Sequence, residues 1–481
     1  MLRETVDGWV DPAVAFAVLF ARSEYAFWLD AGVDATGGTS RMGAAGDGSS
    51  VLFASAPDDG TCGELIRIDP RTGRGRPERG DLFEVLRGGA APGGEPCSGW
   101  AGWFGYEFGA AACGVPIAPR TPSSAPDAAW MRADRFITFS HGERTVTVCA
   151  APAAGAEEWV TATVRVLRTL IGRAPAHPAP TGPRDRGEPP TKASVKRTGS
   201  PARPRAKAAW RHDDAEYLAL IRRCQQHIAA GDAYQLCLTN TATITASVDP
   251  VDTYLRLRAS SPTANGGLLR FGDWSLASAS PERFLSVAAD GRVQTRPIKG
   301  TRPRGANDTD DRRLRDELAS DQKERAENLM IVDLMRNDLG RVARLGTVVV
   351  SELLAVESYR QVHQLVSTVT ADLADGIDAL DAVRSCFPAG SMTGAPKLSA
   401  MRILNELERG PRGPYAGCFG RIDDDGSLEL AMIIRSIVIG RESVTIGAGG
   451  GITALSVPES ELAEVAVKAQ ALLDAVSADI L

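Results

Sequence analysis

The spacing of apolar positions divides the chain into two patterned stretches separated by one without pattern. In the first stretch, residues 1–173, the run Tyr25-Ala-Phe-Trp-Leu-Asp30 reads as a strand. Residues 136–139 and 145–149 read as a hairpin around His141-Gly142. In Trp100-Ala-Gly-Trp-Phe-Gly-Tyr-Glu107 aromatics are interspersed with glycines, as where backbones approach closely in a sheet or tight turn. Residues 158–171 place Val160, Val164, Val166, Leu167 and Leu170 on the apolar side of a helix. No constellation of reactive side chains occurs in this stretch.

In the second stretch, residues 210–481, Asp213 or Asp214 caps a helix that runs to about Ala230, with Leu218, Ile221 and Ile228 inward. Gly231-Asp232 ends it, and residues 234–244 alternate like a strand. Further strands are expected at 268–271, 283–288, 293–298, 347–350, 415–423, 428–439 and 443–448, and helices at 310–339, 378–387, 396–408 and 458–475. The strands come mostly as adjacent pairs instead of alternating with helices. That order favours an α+β fold with antiparallel sheets over a doubly wound parallel sheet.

Between them, residues 174–209 contain Pro175, Pro178, Pro180, Pro183, Pro189, Pro190, Pro201 and Pro204 and almost no large apolar side chain. Such a segment buries too little surface to offset its ordering entropy and is expected to be a mobile linker. From Lys192 to Arg211 it carries seven basic residues and no acid. Without interleaved aromatics, this run reads as a solvated tether, not a nucleic-acid-binding arm. The whole chain, 43% hydrophobic and 24% charged with a net charge of -6, has the composition of a globular protein and offers nucleic acid no basic excess. No run approaches the roughly 20 apolar residues of a membrane helix; the best N-terminal candidate, residues 13–20, has eight. Eight scattered cysteines with no C-x-x-C pair indicate reduced thiols in a cytoplasmic protein, and five histidines argue against a multi-histidine metal centre.

Candidate chemistry lies in the second stretch. Glu324 and Glu327, and again Glu461 and Glu464, stand at i,i+3 and so share one helical face. Facing helices of this kind would offer four hard oxygen donors suited to Mg²⁺, although each pair alone reads equally as a solvated face. In Gln294-Thr-Arg-Pro-Ile-Lys-Gly-Thr-Arg302, Lys299 is either a surface charge or, if turned into a closed site, a nucleophile or base. The run Ile446-Gly-Ala-Gly-Gly-Gly-Ile452 offers unobstructed N–H groups to a carboxylate, or is a glycine-rich strand turn. It does not fit G-x-G-x-x-G opening a helix, which rejects a dinucleotide site.

In this order the motifs resemble the catalytic core of the chorismate-utilising enzymes, a family that includes anthranilate synthase component I and the aminodeoxychorismate, isochorismate and salicylate synthases. The resemblance runs from Gly231-Asp-Ala-Tyr-Gln-Leu-Cys-Leu238 through Ser278-Ala-Ser-Pro-Glu-Arg283, Pro297-Ile-Lys-Gly-Thr301 and Glu324-Arg-Ala-Glu-Asn-Leu-Met330. It continues in Val362-His-Gln-Leu-Val-Ser367, Met392-Thr-Gly-Ala-Pro-Lys397, Ala431-Met-Ile-Ile-Arg-Ser436 and the segment from Pro458 to Lys468. It implies two orthogonally packed antiparallel sheets flanked by helices, built from both stretches, with chorismate bound between them and Mg²⁺ on its ring carboxylate. By motif, Glu327 and Glu464 are the implied direct Mg²⁺ ligands, with Glu324 and Glu461 acting directly or through water. Glu282 matches the general acid that protonates the departing C4 hydroxyl, and His363 the histidine near it. Arg435, Tyr415 and the amides of Gly449 and Gly450 are implied to hold carboxylates. Gln235, Gly300, Thr301, Thr393 and Lys468 complete the implied substrate-binding set. Related N-terminal regions hold tryptophan, so Trp28-Leu-Asp30 and its surroundings are a candidate for that ligand.

Two positions bear on which chemistry is implied. Gln235 stands where water-adding relatives carry a lysine, and an amide is no general base at neutral pH, which disfavours hydration at C2. Pro-Ile-Lys-Gly-Thr is similar to the aminodeoxychorismate synthase branch, whereas anthranilate and isochorismate synthases typically carry alanine at the lysine position. The implied reaction is a transaminase-class amination to 4-amino-4-deoxychorismate through a covalent Lys299 adduct, en route to p-aminobenzoate for folate or a specialised metabolite. Ammonia is expected to come from a separate glutamine amidotransferase subunit. Anthranilate synthesis, or a non-catalytic subunit of the same fold, are the alternatives.

Overall fold

The computed structural model describes residues 2–33, 35–46, 49–56, 63–88, 98–118, 124–175, 206–360 and 362–480. Among the described residues the strands form two large sheets with helices. In the first sheet the N-terminal strands Thr39–Ala44 and Tyr25–Asp30 continue directly into Asn265–Phe271 and Trp274–Ser280, then Ser436–Ile439, Ser443–Ile452 and Gln235–Thr245. In the second, Ile298–Pro303, Val362–Asp372, Arg292–Thr295, Arg283–Val287, Leu428–Met432 and Cys418–Asp423 continue into the N-terminal strands Gly99–Phe104 and Ala128–Arg132. Pairing is antiparallel except where Ala206–Trp210 runs parallel to Ala478–Ile480. The expected α+β class and the joint contribution of both stretches hold.

Tyr25–Asp30 shows why an almost unbroken apolar run makes a strand here. Side chains alternate across a strand. Phe27 faces the second sheet in a layer with Trp103, Phe271 and Phe419, whereas Trp28 faces the helix-covered side with Phe16 and Tyr254. Both faces are buried, so neither is polar. Trp103 meets Phe271 edge-on at 4.7 Å between ring centroids.

Several expected elements differ in their bounds. The helix expected over 310–339 is two, Asp308–Ser320 and Gln322–Gly340, because Asp321 is extended (φ -65°, ψ 115°) and caps the second with its side chain. The strand expected over 293–298 is broken at Arg296-Pro297, where proline removes a ladder N–H. The linker expected over 174–209 lies mostly outside the described residues, but its last four residues already belong to the strand Ala206–Trp210. The apolar segment near residue 13 is the short helix Pro12–Leu19, capped by Asp11. Among the described residues no helix is long and apolar enough to cross a membrane, and the described cysteines are free thiols.

Candidate active site

Lys299 lies where the pairing of Ile298–Pro303 with Val362–Asp372 shifts register between Ile298 and Thr301. Gly300 takes φ 81° in this bulge, and a side chain there would press on Leu318 and Glu324. Lys299 is thereby turned inward: its side chain is 14% exposed, and Nζ lies 3.8 Å from Glu327 Oε2.

Across from it runs the glycine-rich strand Ser443–Ile452, paired with Gln235–Thr245. A Cβ on Gly451 would overlap the Gln235 amide and lie 3.5 Å from Lys299 Nζ. One on Gly450 would lie 3.2 Å from Glu461 Oε2 and 3.9 Å from Lys468 Nζ. The glycines therefore make the room in which Gln235, Lys299, Glu461 and Lys468 converge. Gly449 turns its carbonyl to Lys468 Nζ at 2.7 Å. Gln235 is fully buried, and among the described residues neither atom of its amide has a hydrogen-bond partner. An unpaired buried amide is costly, which marks a position a ligand can satisfy.

The glutamates come from Gln322–Gly340 and Pro458–Val476. Glu327 and Glu461 are buried, and Lys323 bridges them, with Nζ 3.0 Å from Glu461 Oε1 and 3.8 Å from Glu327 Oε1. Ser456 Oγ donates to Glu461 Oε1 at 2.7 Å. Glu464, half exposed, meets Lys468 Nζ at 2.7 Å, and Glu324 faces Arg302 at 3.6 Å. Burial raises the pKa of Glu327, with Lys299 and Lys323 opposing it. Burial works the same way on Glu464, but Lys468 outweighs it and the net shift is downward.

Among the described residues no three acidic, histidine or cysteine side chains are gathered as a ready ligand set; ammonium groups space the glutamates apart. The donor chemistry nonetheless fits a hard divalent cation, since the facing groups are carboxylate oxygens and a cation, Lys323, already stands between two of them.

Glu282 is 7% exposed and close to Lys299. Burial pushes its carboxyl up to about 7, although the Lys299 charge, the Ser391 hydroxyl and the Ile298 N–H all favour the ionised form. Arg435 sits between the strands Leu428–Met432 and Ser436–Ile439 at φ 52° and donates to the Lys468 carbonyl at 3.2 Å. Tyr415 packs flat over Gly447, leaving no space for a side chain there. Thr393 is buried beside the Gly394-Ala395 bridge to Gln235, with its hydroxyl on the carbonyls of its own short helix.

Two expected site residues are not brought together with these. His363 accepts or donates at both ring nitrogens, to Ser358 Oγ at 2.8 Å and Asp311 Oδ1 at 3.0 Å. Asp311 is also held by Arg304 and the Gly305 N–H, so the ring ties the helix Asp308–Ser320 to its strand. Among the described residues nothing bonds His363 to Glu282 or Lys299. Thr301 is exposed, turned outward beyond the bulge. Lys323, Ser391 and Ser456 were not picked out by sequence. Lys323 had a signal, its i,i+4 spacing to Glu327, whereas nothing distinguishes Ser456 before folding. Around Trp28, the indole stacks on Phe16 at 5.4 Å, and Asp30 accepts from Arg258 at 2.6 Å and Tyr254 at 3.0 Å.

A family model for chorismate binding enzymes matches residues 75–474. The chain is 40% identical over 473 residues to the aminodeoxychorismate synthase of Streptomyces griseus, covering 96% of this chain and 62% of that protein. It is 37% identical over 481 residues to anthranilate synthase component 1 of Streptomyces coelicolor, covering 98% and 88%. The chain thus spans about three fifths of the length of the Streptomyces aminodeoxychorismate synthases, 62% and 63%. The crystal structure of anthranilate synthase component I from Streptococcus pneumoniae shares the fold, with a TM-score of 0.74 over 98% of this chain and 100% of that one at 24% identity. With its matched span and its inward lysine among glutamates, the chain belongs to the chorismate-binding enzyme family.

Proposed function

We propose that the chain aminates chorismate at C4 to give 4-amino-4-deoxychorismate. The observation that carries this reading is Lys299: a primary amine 14% exposed, beside Glu327 and Glu282, and facing a glutamine where hydration chemistry needs a base. In this reading the Lys299 ammonium first loses a proton to solvent, and the neutral amine then forms a bond to C2 as the C4–O bond breaks. Glu282, half protonated near pH 7, gives its proton to the departing hydroxyl, which leaves as water. Ammonia then bonds to C4, the C2–N bond to Lys299 breaks, and the surplus proton on the new amine returns to Glu282. Net, ammonia enters and water leaves.

Arg435, Lys468 and the Gln235 amide supply donors for the substrate's carboxylates and ring oxygens, which satisfies the orphaned amide. Mg²⁺ would be held by Glu327, Glu461 and Glu464 with Glu324 beyond them, and would neutralise a substrate carboxylate. The ammonia donor in this reading is a glutamine amidotransferase, and the free thiols fit a reducing, cytoplasmic setting.

The test is product identification from chorismate, MgCl₂ and an ammonium salt. Wild type should yield 4-amino-4-deoxychorismate, and Lys299→Ala should lose it. Para-amination at full rate by Lys299→Ala would refute the covalent step. The 37% identity to an anthranilate synthase component 1 favours a second reading, ortho-amination, which anthranilate as the wild-type product would establish.

A further inference from the structure

Four carboxylates, Glu324, Glu327, Glu461 and Glu464, face four cations, Arg302, Lys299, Lys323 and Lys468. Counted by themselves, these eight side chains balance. Three of the cations have fixed posts: Lys299 is enclosed, Lys468 is also bound to the Gly449 carbonyl, and Arg302 is also paired with Glu317 and Asp321. Lys323 differs. Its side chain is 41% exposed, and the two buried glutamates are its contacts among the described residues.

Its own helix does not favour it there. Lys323 is the second residue of Gln322–Gly340, where a cation opposes the helix dipole. A lysine preceding a glutamate at i,i+4 is also the weaker orientation of that pair. What holds the ammonium inward is Glu461 of the other helix, 138 positions along the chain.

We infer that Lys323 is an internal counter-cation that occupies the divalent-metal position between Glu327 and Glu461 and must swing out for the metal to enter. The inference rests on the reading of these glutamates as metal ligands. Its exposed, four-carbon stem lets the head reach solvent at little cost. Charge then sets the order of events. With Lys323 swung out, a divalent ion entering leaves one positive charge in excess among these groups, and a substrate bearing two carboxylates more than offsets it. Metal alone binds weakly against Lys323; metal and dicarboxylate together bind well, each strengthening the other to the same degree.

The experiment is calorimetric titration of MgCl₂ into the full chain without chorismate. Lys323→Gln should bind Mg²⁺ about tenfold or more tightly than wild type, and Lys323→Arg, which keeps the charge, should not. The double variant Lys323→Gln, Glu461→Gln should lose the gain. In EDTA the Lys323→Gln protein should melt below wild type, because Glu327 and Glu461 then repel, and Mg²⁺ should raise its melting temperature more than that of wild type. Equal Mg²⁺ affinity in wild type and Lys323→Gln, with binding lost in Glu461→Gln, would overturn the counter-cation and leave the ligands standing. No binding in wild type or Lys323→Gln would overturn the ligand reading and the counter-cation with it.

Discussion

Two groups of buried charge within the chain behave differently. Glu408 and Arg412, 3% and 1% exposed, pair at 2.6 Å and spend their remaining capacity at once. Glu408 accepts from the Thr239 N–H and hydroxyl; Arg412 donates to the carbonyls of Met392 and Cys237 and stacks 4.2 Å from the Tyr106 ring. Glu327, near Lys299, is held loosely instead, with an ammonium group 3.8 Å from each of its oxygens, and the Lys323 that also holds Glu461 reaches solvent. A saturated pair fastens the strand Gln235–Thr245 to the helix Lys397–Glu408 and has nothing left to offer a ligand. An unsaturated cluster can exchange partners, which is what binding requires.

The sharpest way to break this contrast is to remove one charge from each group. Arg412→Ala should destabilise the fold by about 3–5 kcal/mol in denaturant melts, with or without Mg²⁺, since Glu408 is left buried and unpaired. Glu464→Gln should do the reverse, lowering Mg²⁺-dependent turnover about 100-fold or more while denaturant stability stays within about 0.5 kcal/mol of wild type. If Glu464→Gln unfolds the protein instead, the two groups do not differ in kind. A gentler probe is pH. Burial pushes the Glu282 carboxyl up to about 7 in the ligand-free chain, and it acts in its protonated form, so kcat/KM should fall as pH rises past about 7, approaching tenfold per unit, in a profile taken from pH 5.5 to 9. Smallest is Ser391→Ala. Its hydroxyl favours the ionised Glu282, so its loss should move that limb to higher pH by less than about one unit.

Much of this was legible before folding. The i,i+3 spacing of the glutamates is a local pattern set by helix periodicity, whereas the inward turn of Lys299 follows from the bulge at Gly300 and is only one of two readings of its motif. Less legible are the partners of His363, which come from a distant helix and strand, and the outward turn of Thr301, because a bulge reverses a strand side chain and motif matching carries no register. The glycine run was ambiguous for a similar reason. Only the closeness of Gln235, Tyr415 and Glu461 shows that its glycines serve as space within a regular ladder. Least legible is Lys323, whose meaning lies in Glu461, a contact between distant helices.

The seam between the two stretches has a practical corollary. Leu269 is laddered to Phe27 and Phe419 to Trp103, so each large sheet is stitched together from residues before and after the linker. Cleaving the chain within residues 176–205 should therefore yield two polypeptides, each with an open edge in both sheets and neither soluble alone, that regain a closed interior and a working cavity when co-expressed as an interlocked pair.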